Sequence, residues 1–228
     1  VTSLHTKAAV VLLSSLMIAS LAQPVFGQTT VTSAEPDPLR VVLVGQALIK
    51  KDLRTLVPES VAQARSYLAG ANVAFTNLEV AVASEGAEFT PRSETVVAVP
   101  PSVLDNLKDM GFNLLSLANN HAADLGEAGI SMTRTEAARR GFAFAGTGEN
   151  AAQAAGAGYL DTAGGKVALV AMASGAIQLT PDTWAAEDRP GVNFLELQED
   201  GTLNPEQKLR ILNAVRDAAR QADLVIVY

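Results

Sequence analysis

The chain holds 228 residues, 48% of them hydrophobic and 18% charged, which is enough apolar material for a packed core and excludes a disordered chain. Seventeen Lys and Arg against 24 Asp and Glu leave a net charge of −7, which repels polyphosphate backbones and excludes a nucleic-acid binder built on a basic face. With no cysteine, disulfides, thiolate zinc sites, cysteine nucleophiles and lipoprotein acylation are excluded together, and histidine is confined to His5 and His121.

Residues 1–27 read as an export leader. Lys7 supplies the positive charge, residues 8–21 are mostly apolar, and Val25-Phe26-Gly27 places a small residue ahead of Gln28. Ser14, Ser15 and Ser20 interrupt the apolar run, which falls short of the ~20 residues of a spanning helix, so cleavage is favoured over anchoring. Cleavage removes Lys7 and no acid, leaving 16 cations against 24 acids, or −8. Residues 28–38, rich in Thr, Ser and Pro, read as a linker.

From residue 39 to 228, short apolar runs alternate with amphipathic stretches, the pattern of an α/β domain whose sheet is covered by helices. Residues 41–44 read as a buried strand, 58–69 as a helix with Pro58 in its first turn, and 72–76 as the next strand. Residues 102–110 place Leu104, Leu107 and Met110 on one helical face and stop at Gly111. A strand follows over 112–118, a helix over 127–140 ending in Arg139 and Arg140, and a strand over 142–145. Gly164-Gly165 suggests an antiparallel hairpin between 159–162 and the apolar run 167–173. Asn204-Pro205 with Gln207 predicts a capped helix to about residue 221, with Leu209, Leu212, Val215 and Ala219 on its apolar face and Gln207 answering the cap's own N–H. A strand over 224–227 ends the chain, which reads as a domain incomplete at its C-terminal end.

Two strand ends gather polar groups. Asn119-Asn120-His121-Ala122-Ala123-Asp124 follows the strand at 112–118, and Asn77-Leu78-Glu79 follows the strand at 72–76. If those strands are neighbours, Glu79 and His121 converge and offer the oxygen and nitrogen ligands that borderline divalent metals accept. The alternative is that Asn and Asp merely cap and turn the chain there and that His121 is a hydrogen-bonded structural group. Gln46, after the first strand, faces the same crevice and offers only a neutral amide oxygen. Gly146-Thr147-Gly148-Glu149-Asn150 reads as a strand-to-helix turn. Lys50, Lys51 and Arg54 read as a solvated face, and Trp184 with Arg189-Pro190-Gly191 as a surface loop.

Several segments match a known family in order and spacing: Val41-Val42-Leu43-Val44-Gly45, Phe75-Thr76-Asn77-Leu78-Glu79, Gly111 through Leu117 with Ala118-Asn119-Asn120-His121, Asp124-Leu125-Gly126, and Gly146 through Asn150. Together they resemble the poly-γ-glutamate capsule biosynthesis (CapA) family, whose fold is similar to that of the calcineurin-like metallophosphatases. The resemblance implies a layered α/β sandwich of helices packed on mixed β-sheet, truncated here at the C-terminus. It also implies a divalent metal cofactor with Glu79, Asn120 and His121 as metal-site residues, His121 and Asp124 in catalytic roles, and Gln46, Asn77 and Asn119 lining the site. The family usually shows Gly-Asp where this chain has Gly45-Gln46, and its later His-containing motif falls beyond Tyr228.

Three functions follow from that resemblance. The first is synthesis, assembly or export of an anionic extracellular polymer, with that polymer or membrane-bound polymer synthase subunits as partners and a periplasmic, extracellular or cell-surface location. The second is a metal-dependent hydrolase of phosphoesters or of an amide-linked polymer. The third is a non-catalytic surface scaffold that keeps the fold without the metal, a reading favoured by Gln46.

Overall fold

The computed structural model describes residues 38–84, 86–87, 96–175 and 179–228. The export leader at 1–27 and all of the linker except residue 38 lie outside the described residues. In chain order the elements are β1 (Val41–Ala47), α1 (Leu53–Leu56), α2 (Pro58–Leu68), β2 (Val73–Leu78), β3 (Ala81–Val82), β4 (Ala98–Val99), α3 (Ser102–Met110), β5 (Leu114–Ser116) and α4 (Gly126–Arg139). They continue with β6 (Ala143–Ala145), β7 (Thr147–Gly148), α5 (Ala151–Ala155), β8 (Gly158–Thr162), β9 (Gly165–Val170), β10 (Ala173–Ser174), β11 (Gly191–Val192), β12 (Phe194–Leu195), α6 (Pro205–Ala219) and β13 (Leu224–Val227).

A parallel four-stranded sheet in the order β1-β2-β5-β6 and a mixed three-stranded sheet in the order β13-β9-β8 carry the fold. Alternation along each strand sends successive side chains to opposite faces, so each sheet buries two surfaces. One face of the four-stranded sheet packs Val42, Ala74 and Leu115 against Val61 and Leu68 of α2, Leu104, Leu107 and Met110 of α3, and Ala137 of α4. The other face turns Val73, Phe75, Leu114 and Ala145 toward Val167, Leu169 and Ile226 of the three-stranded sheet. The far side of that second sheet, Ala168, Val170 and Val225, is covered by Ile211, Ala214, Val215 and Ala218 of α6. The order is therefore helices, sheet, sheet, helix, which is an α/β protein with mixed sheet. Among the described residues no helix is long and apolar enough to cross a membrane.

Local chemistry sets the element ends. Gly111 closes α3 with φ at 104°, a left-handed value that glycine adopts without strain, and its N–H reaches Leu107 and Lys108 carbonyls. Pro58 occupies the first turn of α2, and Asn150 caps α5 by accepting from Gln153 N at 2.9 Å. Asn106 is fully buried in α3 and fastens the loop after β1: its Oδ1 accepts from Leu53 N at 2.9 Å and Arg54 N at 3.3 Å, and its Nδ2 donates to Lys51 O at 3.1 Å. Replacing Asn106 by Leu leaves those part-buried backbone groups without their partner, and chemical denaturation is expected to show a loss of about 2 kcal/mol.

Four sequence expectations need correction. The strand at 41–44 is not buried, because among the described residues β1 pairs only with β2, at the sheet edge, and leaves Leu43 61% exposed. In α6 the buried face is Ile211, Ala214, Val215 and Ala218, whereas Leu209 and Leu212 stand out at 56% and 40% exposure. The sheet floor of Ala168 and Val170 meets the stripe with the smaller residues, which lets the helix approach closely. Gln207 does not return to the cap: its Oε1 accepts from Glu196 N at 2.7 Å, while Asn204 alone accepts from Glu206 N and Gln207 N. Finally, Arg54 is not simply solvated. It donates to both carboxylate oxygens of Asp52 and sits 3.6 Å from Asp105, so the Asp52 bond raises its pKa and the guanidinium in turn holds the Asp52 carboxyl below its ordinary value.

Candidate functional site

In a parallel sheet all strands end on the same side, and the loops there are free to hold a ligand while the body of the sheet fixes them. Gln46, Asn77, Ser116 and Ala145 register across β1, β2, β5 and β6, forming a row at that carboxyl edge. Just past the row come Glu79 after β2, Asn119 to His121 after β5, and Gly146 after β6. The neighbour relation that the sequence reading required is present: β2 and β5 are adjacent and parallel.

The β1 end is irregular. Its register with β2 shifts between Leu43 and Gln46, where the Gly45 carbonyl accepts from Thr76 Oγ1 at 2.7 Å. Ala47 O then accepts from Glu79 N at 3.2 Å, which ties the β1 end to the Glu79 backbone. Glu79 is half-buried, and no described donor reaches its carboxylate. Gln46 is exposed at the rim.

Between β5 and α4 the chain runs through consecutive turns, with Ala122 N donating to Asn119 O and Asp124 N to His121 O. Ala122, Ala123 and Leu125 are buried and anchor these turns, so the polar residues between them are presented from a fixed base. Asn119 is 6% exposed. Its Nδ2 donates to Asn77 Oδ1 at 3.0 Å and to Leu78 O at 2.8 Å, and its Oδ1 accepts from His121 N at 3.0 Å. The β5 tip is thereby bonded to the β2 tip.

His121 Nδ1 lies 2.8 Å from Asp124 Oδ2, with the imidazole side chain 20% and the carboxylate 9% exposed. The same Asp124 oxygen accepts from Val97 N at 2.7 Å. An ionised carboxylate accepts only, so Nδ1 is the nitrogen that donates here, and it is Nε2 that holds the lone pair whenever the ring is neutral. A histidine whose other nitrogen is held by a carboxylate is the usual arrangement of a metal-bound imidazole, and it also serves a proton-transferring one. Asp124 spends this oxygen on the ring and the β4 approach, which makes it a support of His121. Asn120 is half-buried beside them. Among the described residues no three of His, Asp and Glu cluster to hold a metal ion. Just past the ends of β2 and β5 the residue types able to bind a metal are Glu79 and His121, with Gln46 and Asn120 as neutral amides.

The weaker sequence candidates fall around this edge or away from it. Gly146, with φ at 103°, is wedged so that a Cβ there would stand 2.6 Å from the Ala118 Cβ and 3.1 Å from the Ala171 Cβ; it lets the ends of β5, β6 and β9 meet. Thr147 and Gly148 are not a plain turn but pair antiparallel with Val192 and Gly191. Trp184 stacks on Phe194 at 4.5 Å, and Arg189 Nη2 donates to the carbonyls of Pro181 and Trp184, so that loop is internally fastened. Lys50 and Lys51 are exposed on the loop after β1. Sequence reasoning passed over Val97, because a backbone amide carries no mark of residue type, and Asn193, whose N and Nδ2 donate to Gly146 O and Ala171 O at the same edge.

Fold and site define a class: a layered α/β protein with a polar centre at the carboxyl edge of a parallel sheet, built on a carboxylate tip and an imidazole tip. Residues 40–228 match the family described as bacterial capsule synthesis protein PGA_cap. The chain belongs to that family. Two Sinorhizobium fredii proteins, y4sH and y4uA, are each 33% identical to it over 192 residues, covering 80% of this chain and 41% of their own length. A Mycobacterium tuberculosis protein described as a probable polyglutamine synthesis accessory protein is 28% identical over 122 residues, 53% of this chain and 32% of its own. This chain thus spans less than half the length of the curated relatives it matches.

Proposed function

We propose that this protein serves outside the cytoplasm in the synthesis, assembly or export of an anionic polymer of the poly-γ-glutamate type, through a metallophosphatase-like site at the carboxyl edge of the four-stranded sheet. Family membership supports the capsule role, and the similarity to a mycobacterial probable polyglutamine synthesis accessory protein points the same way. The observation that carries the site is the bonding of the two strand tips: Asn119 joins the Glu79 tip to the His121 tip, and Asp124 orients the imidazole. An acidic protein handling a polyanion needs a cation between them, and this edge supplies the donors for one.

The donors at this edge are of the kind a divalent ion accepts. Glu79 offers the anionic oxygen, His121 Nε2 the imidazole nitrogen, and Asn120 and Gln46 neutral oxygens. When bound, such an ion polarises a coordinated group and lowers the pKa of water. The protein's own contribution is to hold Nε2 bare and aimed, through Asp124, and to keep the carboxylate of Glu79 free for a ligand. The bonded His121–Asp124 pair favours a second reading within the same site, hydrolysis of a phosphoester or amide-linked polymer, because it can also return a proton to a leaving group.

The test uses the full-length protein in a host that depends on it for surface polymer. His121→Ala at unchanged protein level is expected to lower polymer yield roughly 100-fold, the scale of losing a positioned acid or base. Undiminished polymer of unchanged length overturns the proposal. Altered chain length at constant yield identifies the hydrolase reading instead.

A further inference from the structure

The sheet ladder stops short of the residues that matter. Its last registered pair between the two strands is Asn77 with Ser116, two residues before Glu79 and five before His121. Past that point no β2–β5 ladder bond holds one tip against the other, and side chains must do it. We propose that Asn119 is the positioning residue of this site: its carboxamide binds no ligand and instead sets the spacing between the Glu79 tip and the His121 tip. The proposal rests on the reading that those two tips act together.

Both amide hydrogens of Asn119 are spent on the β2 tip, on Asn77 Oδ1 and Leu78 O, and its oxygen is spent on His121 N. Three bonds from one carboxamide that is 6% exposed leave it fastened inside the protein, where each such bond is stronger than at the surface. The residue type is dictated by the partners. Asn77 Oδ1 and Leu78 O are acceptors and His121 N is a donor, so position 119 must donate twice and accept once within a short reach. Aspartate accepts only, leucine does neither, and serine has one hydrogen to give.

A second tie runs along the other flank. Ala81 N, two residues past Glu79, donates to Val97 O at 3.0 Å; Val97 N donates to Asp124 Oδ2; and Asp124 holds His121 Nδ1. The two ties close a ring around the base of the tips. Loss of Asn119 therefore opens the ring at one place and leaves the other holding, so the chain still folds and the spacing loosens.

The absence of cysteine makes this measurable, since Glu79→Cys with Asn120→Cys gives one labelling position on each tip, leaves the His121–Asp124 bond in place and adds no background. In the full chain, pulsed dipolar spectroscopy on spin labels at 79 and 120 is expected to return one narrow distance distribution with Asn119 present. Asn119→Asp keeps the shape and the acceptor for the amide at 121 but loses both donors, and is expected to widen that distribution by roughly 1 Å, the looseness that an unsupported site shows. Asn77→Ala removes a single bond, leaves the Leu78 one, and gives an intermediate width; it carries the test if Asn119→Asp does not fold. A role confined to overall stability lowers the melting temperature and leaves the width of the folded molecules unchanged. Unchanged widths in the folded variants overturn the proposal. Absence of divalent-ion binding by the unsubstituted protein counts against the metal reading of Glu79 and His121 and leaves the distance result standing, so the two failures are distinguishable.

Discussion

Converting Asp124 to asparagine is expected to leave the protein folded and to weaken divalent-ion binding by roughly 10-fold to 100-fold, the range seen when the group behind a metal-bound histidine is altered. Asp124 Oδ2 receives both His121 Nδ1 and Val97 N. The asparagine oxygen has two lone pairs and can accept from both donors, so the backbone anchor survives. The negative charge behind the ring does not, which weakens the hold on Nδ1–H and makes Nε2 a poorer donor to a metal. Calorimetric titration of the full-length protein with manganese and zinc chloride measures the affinity, and the imidazole nitrogen resonances of His121 report the tautomer. Equal affinity in Asp124→Asn would show that the carboxylate supports the β4 approach alone.

Glu136→Ala is expected to cost about 2 kcal/mol, the scale of losing hydrogen bonds to a charged group, because Arg140 keeps Asp105 and Arg139 is exposed. Glu136 is 5% exposed in α4, accepting from Arg139 Nη1 at 2.7 Å and from Arg140 Nη1, while Arg140 Nε donates to Asp105 on α3 at 2.5 Å. Burial by itself raises this carboxyl, and the guanidinium groups of Arg140 and Arg139 outweigh it, holding the pKa below its ordinary 4.5. The unfolded chain therefore takes up the proton first as pH falls. The stabilisation is complete above the unfolded value of 4.5 and is lost as pH drops through the lower folded value. Urea unfolding at neutral pH measures the cost of the substitution, and its repetition below about pH 4 should show a shallower acid limb in Glu136→Ala than in the unsubstituted protein. Parallel acid limbs would place the acid sensitivity in other carboxyls.

Much of the chain could be read in advance because its signals are local. Gly111 stops α3, Asn204 and Pro205 start α6, and the Gly164-Gly165 turn joins β8 to β9, each through backbone chemistry that a few neighbouring residues settle. That Glu79 and Asn119 to His121 follow strands was legible for the same reason: an apolar run followed abruptly by amides, an acid and an imidazole marks where a strand leaves the core, although β2 runs on through Asn77 and Leu78, which the sequence places after it. The face of α6 was not legible. Its sequence carries two adjacent apolar stripes, and helical periodicity alone ranks Leu209 and Leu212 above the smaller Ala214 and Ala218. The exposure of β1 was equally hidden, since a run of Val and Leu looks the same at an edge as in the middle of a sheet.

By itself the amino-acid order determined the α/β class, the stop of α3, the start of α6 and the residue types that follow two strands, because hydrophobic period, capping and turn chemistry act within a few residues. Only the tertiary structure decided that β2 and β5 are neighbours, that Asn119 is consumed in joining them, and that Asp124 faces both His121 and the amide of Val97, 27 residues upstream. Strand order and cross-chain hydrogen bonds depend on which buried surfaces fit together over the whole sheet, and that fit is a property of the assembled core.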